Sequence, residues 1–155
     1  MIVYIDASAL VKRYVAEAGS AAVEKLIDQA DALGTSVISR AEMSAAFAKA
    51  VRMNLVASDA AAKALKLFTA DWTHLIRLQL TETLAARAAS LAWEQGLRGY
   101  DAVHLATALI WHETLGQPVH VATFDRQLWQ GAQATGLIAW PKVWSGVIGH
   151  LRAKA

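Results

Sequence analysis

Short apolar runs alternating with longer helical stretches constrain this chain more than any other feature of it. Residues 2–5, 35–38, 75–79 and 119–122 have the length and apolarity of strands, and a weaker fifth run over 137–140 ends at Pro141. Strands separated by helices predict βαβ units, right-handed crossovers and a parallel sheet. A strand covered on both faces has no polar side to show, and the runs at 2–5 and 119–122 are apolar in this continuous way. The expected fold class is α/β, a three-layer α/β/α arrangement with a central parallel sheet of four to five strands flanked by helices.

The helices are expected over Ala7–Val15, Ser20–Ala30, Arg40–Met53, Ser58–Trp72, Thr81–Gln95, Asp101–Leu115 and Asp125–Thr135. Gly96, Gly116 and Gly136 supply stop signals just past three of them. Arg40–Met53 and Ser58–Trp72 form a hairpin turning at residues 54–57. A last short helix is expected over Trp144–Arg152. No repeat, low-complexity block or linker interrupts the chain, so residues 1–155 are expected to be one domain, with 141–155 as a C-terminal helix and tail.

Composition excludes several classes. With 55% hydrophobic and 18% charged residues the chain is no disordered polypeptide, and its apolar excess points to self-association or a protein partner. A net charge of +2 is too small to indicate nucleic-acid binding by itself. The absence of cysteine excludes disulfides and thiolate-bound metal, and agrees with a reducing compartment. The opening residues read as a strand rather than as the n- and h-regions of a signal peptide, so none is expected, and the most apolar stretch, 102–111, is short and carries His104. The expectation is a cytoplasmic protein with no membrane association.

Four of the thirteen acidic residues occupy telling positions. Asp6 follows the first strand run, Glu42 opens the helical stretch just past the second, and Asp125 follows the fourth. Asp101 heads the helix after Leu97-Arg-Gly-Tyr100. The carboxyl ends of strands in an open α/β sheet border its binding crevice. Carboxylates gathered there repel one another unless a hard cation sits among them, a pattern that suits Mg²⁺, with Mn²⁺ as the alternative. Each acid also has a plain structural role open to it. Asp6, Asp101 and Asp125 suit helix N-caps, and Ser39-Arg-Ala-Glu42 suits a capping box. The other nine acids fall near helix ends or on polar helix faces.

Four blocks carry a resemblance: Tyr4-Ile-Asp-Ala-Ser-Ala-Leu-Val-Lys-Arg-Tyr14, Ser39-Arg-Ala-Glu-Met-Ser-Ala-Ala46, Leu97-Arg-Gly-Tyr-Asp-Ala-Val-His-Leu-Ala-Thr-Ala108 and Ala122-Thr-Phe-Asp-Arg126. In this order they resemble the PIN-domain ribonucleases, most closely the VapC-like toxins of type II toxin–antitoxin systems. The resemblance implies a PIN-like fold and a metal-dependent endoribonuclease acting as the toxin of a pair. It further implies that Asp6, Glu42, Asp101 and Asp125 are the catalytic and metal-binding acids. The implied partners are RNA, a small antitoxin whose C-terminal segment covers the acidic groove, and a second copy of the chain (homodimer or higher). The stretch beyond Pro141 matches none of these motifs.

Phosphodiester hydrolysis requires an activated water and neutralisation of charge on the phosphoryl oxygens, which one or two hard cations supply. Asp6 and Asp101 are expected as the main anchors, with Glu42 and Asp125 completing the site. Ser8 and Thr123 are candidates for orienting those carboxylates or the water, and equally for plain helix-start hydroxyls. Lys12, Arg13, Arg40, Arg98 and Arg126 are candidates for holding the RNA backbone. His104 is expected to be packed or hydrogen-bonded rather than a ligand, and the remaining histidines lack zinc-ligand spacing. Trp72, Trp93, Trp111 and Trp129 fall in apolar helical stretches and are expected to pack in the core or at an interface. Two alternatives also fit acidic positions of this kind: a phosphatase, which puts an Asp after its first strand, and a non-enzymatic module whose acidic pocket binds Mg²⁺ and controls an interaction surface. A phosphatase of the haloacid-dehalogenase kind wants a second acid where Ser8 stands, and a receiver-like Mg²⁺-binding module wants an Asp after the third strand, where 78–81 has none.

Overall fold

The computed structural model describes residues 1–144, so the helix expected over 144–152 lies almost wholly outside the described residues. Five parallel strands form one sheet: β1 (Ile2–Ile5), β2 (Ala32–Ser36), β3 (Ile76–Leu78), β4 (Val119–Ala122) and β5 (Ile138–Trp140), in the order β3-β2-β1-β4-β5. Ile2 is in register with Ala32 on one side and with Val119 on the other. The chain winds outward from β1 through β2 to β3, then returns to lay β4 along the free side of β1. The reversal leaves a crevice at the carboxyl ends of β1 and β4, where open α/β sheets bind ligands.

Seven α-helices provide the outer layers: α1 (Ala7–Leu10), α2 (Ser20–Asp28), α3 (Ser39–Arg52), α4 (Ser58–Asp71), α5 (Glu82–Gln95), α6 (Gly99–Leu115) and α7 (Arg126–Ala134). Successive strand side chains point to opposite faces, and β1 shows the consequence. Val3 and Ile5 pack with Leu10, Met43, Phe47 and Phe68 of α1, α3 and α4. Tyr4 packs with Leu91, Leu105 and Leu128 of α5, α6 and α7. The expected hairpin is α3 and α4, turned through Asn54 at φ 54°.

One glycine is set by packing. A Cβ on Gly34, in β2, would stand 2.7 Å from the Trp111 ring of α6. The same close approach removes apolar signal from β2, which begins at Ala32 rather than at the expected residue 35. Trp72 and Trp111 are buried as expected, whereas Trp93 is 90% exposed on α5 and belongs to no core.

Candidate active site

The carboxyl end of β1 delivers Asp6 into the crevice. Its extended backbone (φ −86°, ψ 172°) ends the strand, and its side chain caps α1 by accepting from Ala9 N–H at 3.0 Å. Ser8 donates to both carboxylate oxygens at 2.7 and 2.9 Å, and Thr123, just past β4, donates to Oδ2 at 2.9 Å. Asp6 is only 4% exposed. Burial pushes its carboxyl above the ordinary value, against the charge of His104 and the bonds from Ser8, Ala9 and Thr123, which favour ionisation.

Across the crevice Asp125 caps α7. Its Oδ1 accepts from the N–H groups of Gln127 (2.9 Å) and Leu128 (3.1 Å), and its own N–H donates to Thr123 Oγ1 at 2.9 Å. Thr123 thus ties Asp6 and Asp125 together, and Ser8 adds a bond from Phe124 N–H at 2.8 Å. The two hydroxyls that the sequence offered as carboxylate orienters touch the carboxylate in question.

Asp101 lies in the first turn of α6, not at its N-cap, which is Arg98. Arg98 Nε donates to Asp101 Oδ2 at 2.8 Å, and Nη2 of the same guanidinium donates to Asp125 Oδ2. Burial raises the Asp101 carboxyl above its usual range; the bond from Arg98 opposes this and the charge of Asp125 adds to it.

Glu42 departs from the capping-box expectation. Ile38 is the N-cap of α3 and makes no side-chain cap, while Ser39 bonds to Thr35 at 2.7 Å. The glutamate reaches His104 of α6 instead, with Oε2 2.8 Å from Nε2, and the other ring nitrogen meets Tyr4 Oη at 2.6 Å. A carboxylate oxygen can only accept, so Nε2 carries a proton, and the neutral ring takes the Tyr4 O–H at Nδ1. Burial works against charge on His104, yet the hydrogen bond and charge of Glu42, with the charges of Asp6 and Asp101, hold it above the ordinary imidazole value.

Glu42, Arg98, Gly99, Tyr100 and Asp101 line an open cleft of about 430 Å³. Among the described residues, Glu42 Oε1 and Asp101 Oδ1 accept no hydrogen bond, so two hard oxygen donors are uncommitted in the residues lining one opening. Asp6 and Asp101 also bear a burial cost on their charge that a cation relieves. On both counts the donor set fits a hard divalent ion. The four acids do not stand pre-arranged around one point, however. Among the described residues no group of three or more His, Asp or Glu side chains stands ready-arranged to hold an ion. The acids gather at one end of the sheet, but bonds to backbone N–H groups, hydroxyls, His104 and Arg98 hold them.

Two of the five proposed RNA-binding cations are engaged elsewhere. Lys12 is 1% exposed. Its ammonium donates to Glu17 at 2.8 Å and to Ala18 O at 2.9 Å and lies 4.4 Å above the Phe124 ring, because the loop before α2 folds back over it. Arg13 pairs with Asp71 of α4 at 3.4 Å. Arg40 is exposed on the first turn of α3, Arg126 is exposed at the start of α7, and Arg98 holds the two acids. Sequence reasoning missed Tyr4 as a partner of His104 and Tyr100 as a wall of the cleft. The spacing of Asp101 and His104, three apart on one helix, was the available signal for a shared face.

The model of the PIN domain family matches residues 3–132. The chain belongs to the PIN-domain family. Its sequence is 39% identical over 136 residues to ribonuclease VapC45 of Mycobacterium tuberculosis, covering 87% of this chain and 92% of the relative. The PIN fold also relates it to solved structures at lower identity. One is the M. tuberculosis toxin VapC20, described as cleaving the sarcin–ricin loop, with a TM-score of 0.62 and 17% identity over 91% of this chain and 98% of the other. Another is a toxin–antitoxin complex from Klebsiella pneumoniae, with a TM-score of 0.57 and 15% identity over 79% and 86%. Membership in a nuclease family sets aside the phosphatase and receiver-like alternatives. No helix among the described residues is long and apolar enough to cross a membrane.

Proposed function

We infer that this PIN domain is a divalent-metal-dependent endoribonuclease, the toxin of a toxin–antitoxin pair, hydrolysing RNA phosphodiester bonds with Mg²⁺ (Mn²⁺ substituting). The observation that carries the reading is the cleft at the sheet's carboxyl end, whose lining residues Glu42 and Asp101 each have an uncommitted oxygen. Asp6 and Asp125 stand at the adjoining switch point. Identity to a ribonuclease along nearly its whole length supports the same reaction.

A divalent ion bound there supplies Lewis acidity, acidifying water and neutralising charge on the phosphate. Asp101, Glu42, Asp6 and Asp125 would hold it. Ser8 and Thr123 keep the Asp6 carboxylate in one orientation, and His104, itself fixed by Tyr4, does the same for Glu42. The exposed Arg98, Arg40 and Arg126 are the cations best placed for the RNA backbone. An antitoxin partner is supported by the toxin–antitoxin complex among the structural neighbours. Self-association is the reading of exposed apolar residues such as Trp93 and Leu67.

The test is cleavage of structured RNA by purified protein freed of antitoxin. Cuts are expected with Mg²⁺ or Mn²⁺ and none in EDTA or with Asp6→Asn; cutting that persists in EDTA contradicts the metal mechanism.

A further inference from the structure

The guanidinium of Arg98 lies between the acids that open α6 and α7, bonded to Oδ2 of Asp101 and to Oδ2 of Asp125. Asp125 has no other oxygen to offer, because its Oδ1 accepts two backbone N–H bonds at the start of α7. Any cation that takes Asp125 must take the oxygen Arg98 already holds. The Arg98 side chain is 68% exposed, whereas those of Asp101 and Asp125 are 13% and 24% exposed. Its backbone is extended (φ −65°, ψ 153°) and lies outside the helical turn. The side chain can therefore swing into solvent without unpacking α6, and ion pairs this exposed are weakly held.

We propose that Arg98 is an internal counter-cation that competes with the divalent ion for Asp101 and Asp125, so that the ion loads by displacing the guanidinium. This rests on the metal-site reading above. Until the ion arrives, one guanidinium offsets the mutual repulsion of two carboxylates and keeps them aligned. On loading, the charge between them would change from one to two, and the ion would replace the Arg98 donor at Asp125 Oδ2. Arg98 is then a positioning residue whose presence lowers affinity for the ion.

The measurement is calorimetric titration of Mn²⁺ into the antitoxin-free wild type, Arg98→Gln and Arg98→Lys, with melting temperatures in EDTA and in Mn²⁺. Loss of two exposed ion pairs should tighten Mn²⁺ binding by Arg98→Gln about tenfold. It should also lower the melting temperature in EDTA and enlarge the gain on adding Mn²⁺. Arg98→Lys keeps the charge but not the two-armed fork, and should also bind Mn²⁺ more tightly than the wild type. Lysine matching wild type while glutamine tightens would mean a diffuse charge effect and overturn displacement, as would unchanged affinity in Arg98→Gln. If none of the three proteins binds Mn²⁺, the metal-site reading falls and this one with it, whereas binding by the wild type with unchanged variants sinks this one alone.

Discussion

His104 Nε2 lies 2.8 Å from Glu42 Oε2 and so joins α6 to α3 over the carboxyl end of the sheet. The bond crosses between the helix layers on the two faces, with Tyr4 of the central strand on the imidazole's other side. One buried ring therefore sets the position of an acid at the cleft, and its ionisation is linked to the stability of the fold.

The linkage has a definite sign. His104 binds its proton more tightly in the folded protein than its ordinary value of 6.5, so its contribution is present below that pH and is lost as pH rises through the folded value. Asp6 and Asp101, raised chiefly by burial, act the same way at lower pH, since their ionisation costs stability above the ordinary 3.8. In EDTA the melting temperature should fall as pH is raised above 6.5, and His104→Gln should flatten that fall. An equal slope in the variant would show that His104 does not carry it.

Thr123 is fully buried, donates to Asp6 and accepts from Asp125 N–H. Thr123→Val keeps the shape and removes both bonds. Stability should drop by about 1–3 kcal/mol in urea unfolding, because a half-buried N–H and a buried carboxylate oxygen each lose a partner. Cleavage at fixed Mg²⁺ should fall about 10–100-fold, the usual cost of losing a group that orients a metal ligand. A stable variant with full activity would reduce Thr123 to a packing residue.

Lys12 separates a structural cation from a substrate-binding one. Lys12→Met leaves Glu17 and Ala18 O without their ammonium, and breaking a buried pair costs about 3–5 kcal/mol, which denaturant unfolding would register. The salt dependence of RNA binding by the folded variant should match wild type, since removing a phosphate contact reduces the slope by about one. A reduced slope would return Lys12 to the RNA interface.

These cases show what was legible in the sequence. The bounds of β1 and β4 were readable because strands buried on both faces are continuously apolar. β2 was misplaced because Gly34, needed beneath Trp111, breaks that run. The positions of Asp6 and Asp125 after strands located the crevice, since strand order alone brings those ends together. Ser8 and Thr123 were readable as partners of Asp6, but those of Glu42 and His104 were not. Tyr4 and His104 are 100 residues apart and Glu42 and His104 are 62 apart, so only the folded sheet creates their bonds. Lys12 resembled a surface cation because nothing local shows that the loop before α2 covers it.

Whether these carboxylates hold a divalent ion is decided by a crystal structure grown with Mn²⁺ and recorded for its anomalous signal. One or two peaks are expected at about 2.1 Å from oxygens of Asp101 and its neighbouring acids, with Arg98 turned away from Asp125. Saturating Mn²⁺ with no peak in the crevice, and all four carboxylates still bound to their amide, hydroxyl, imidazole and guanidinium partners, would contradict the metal-site reading.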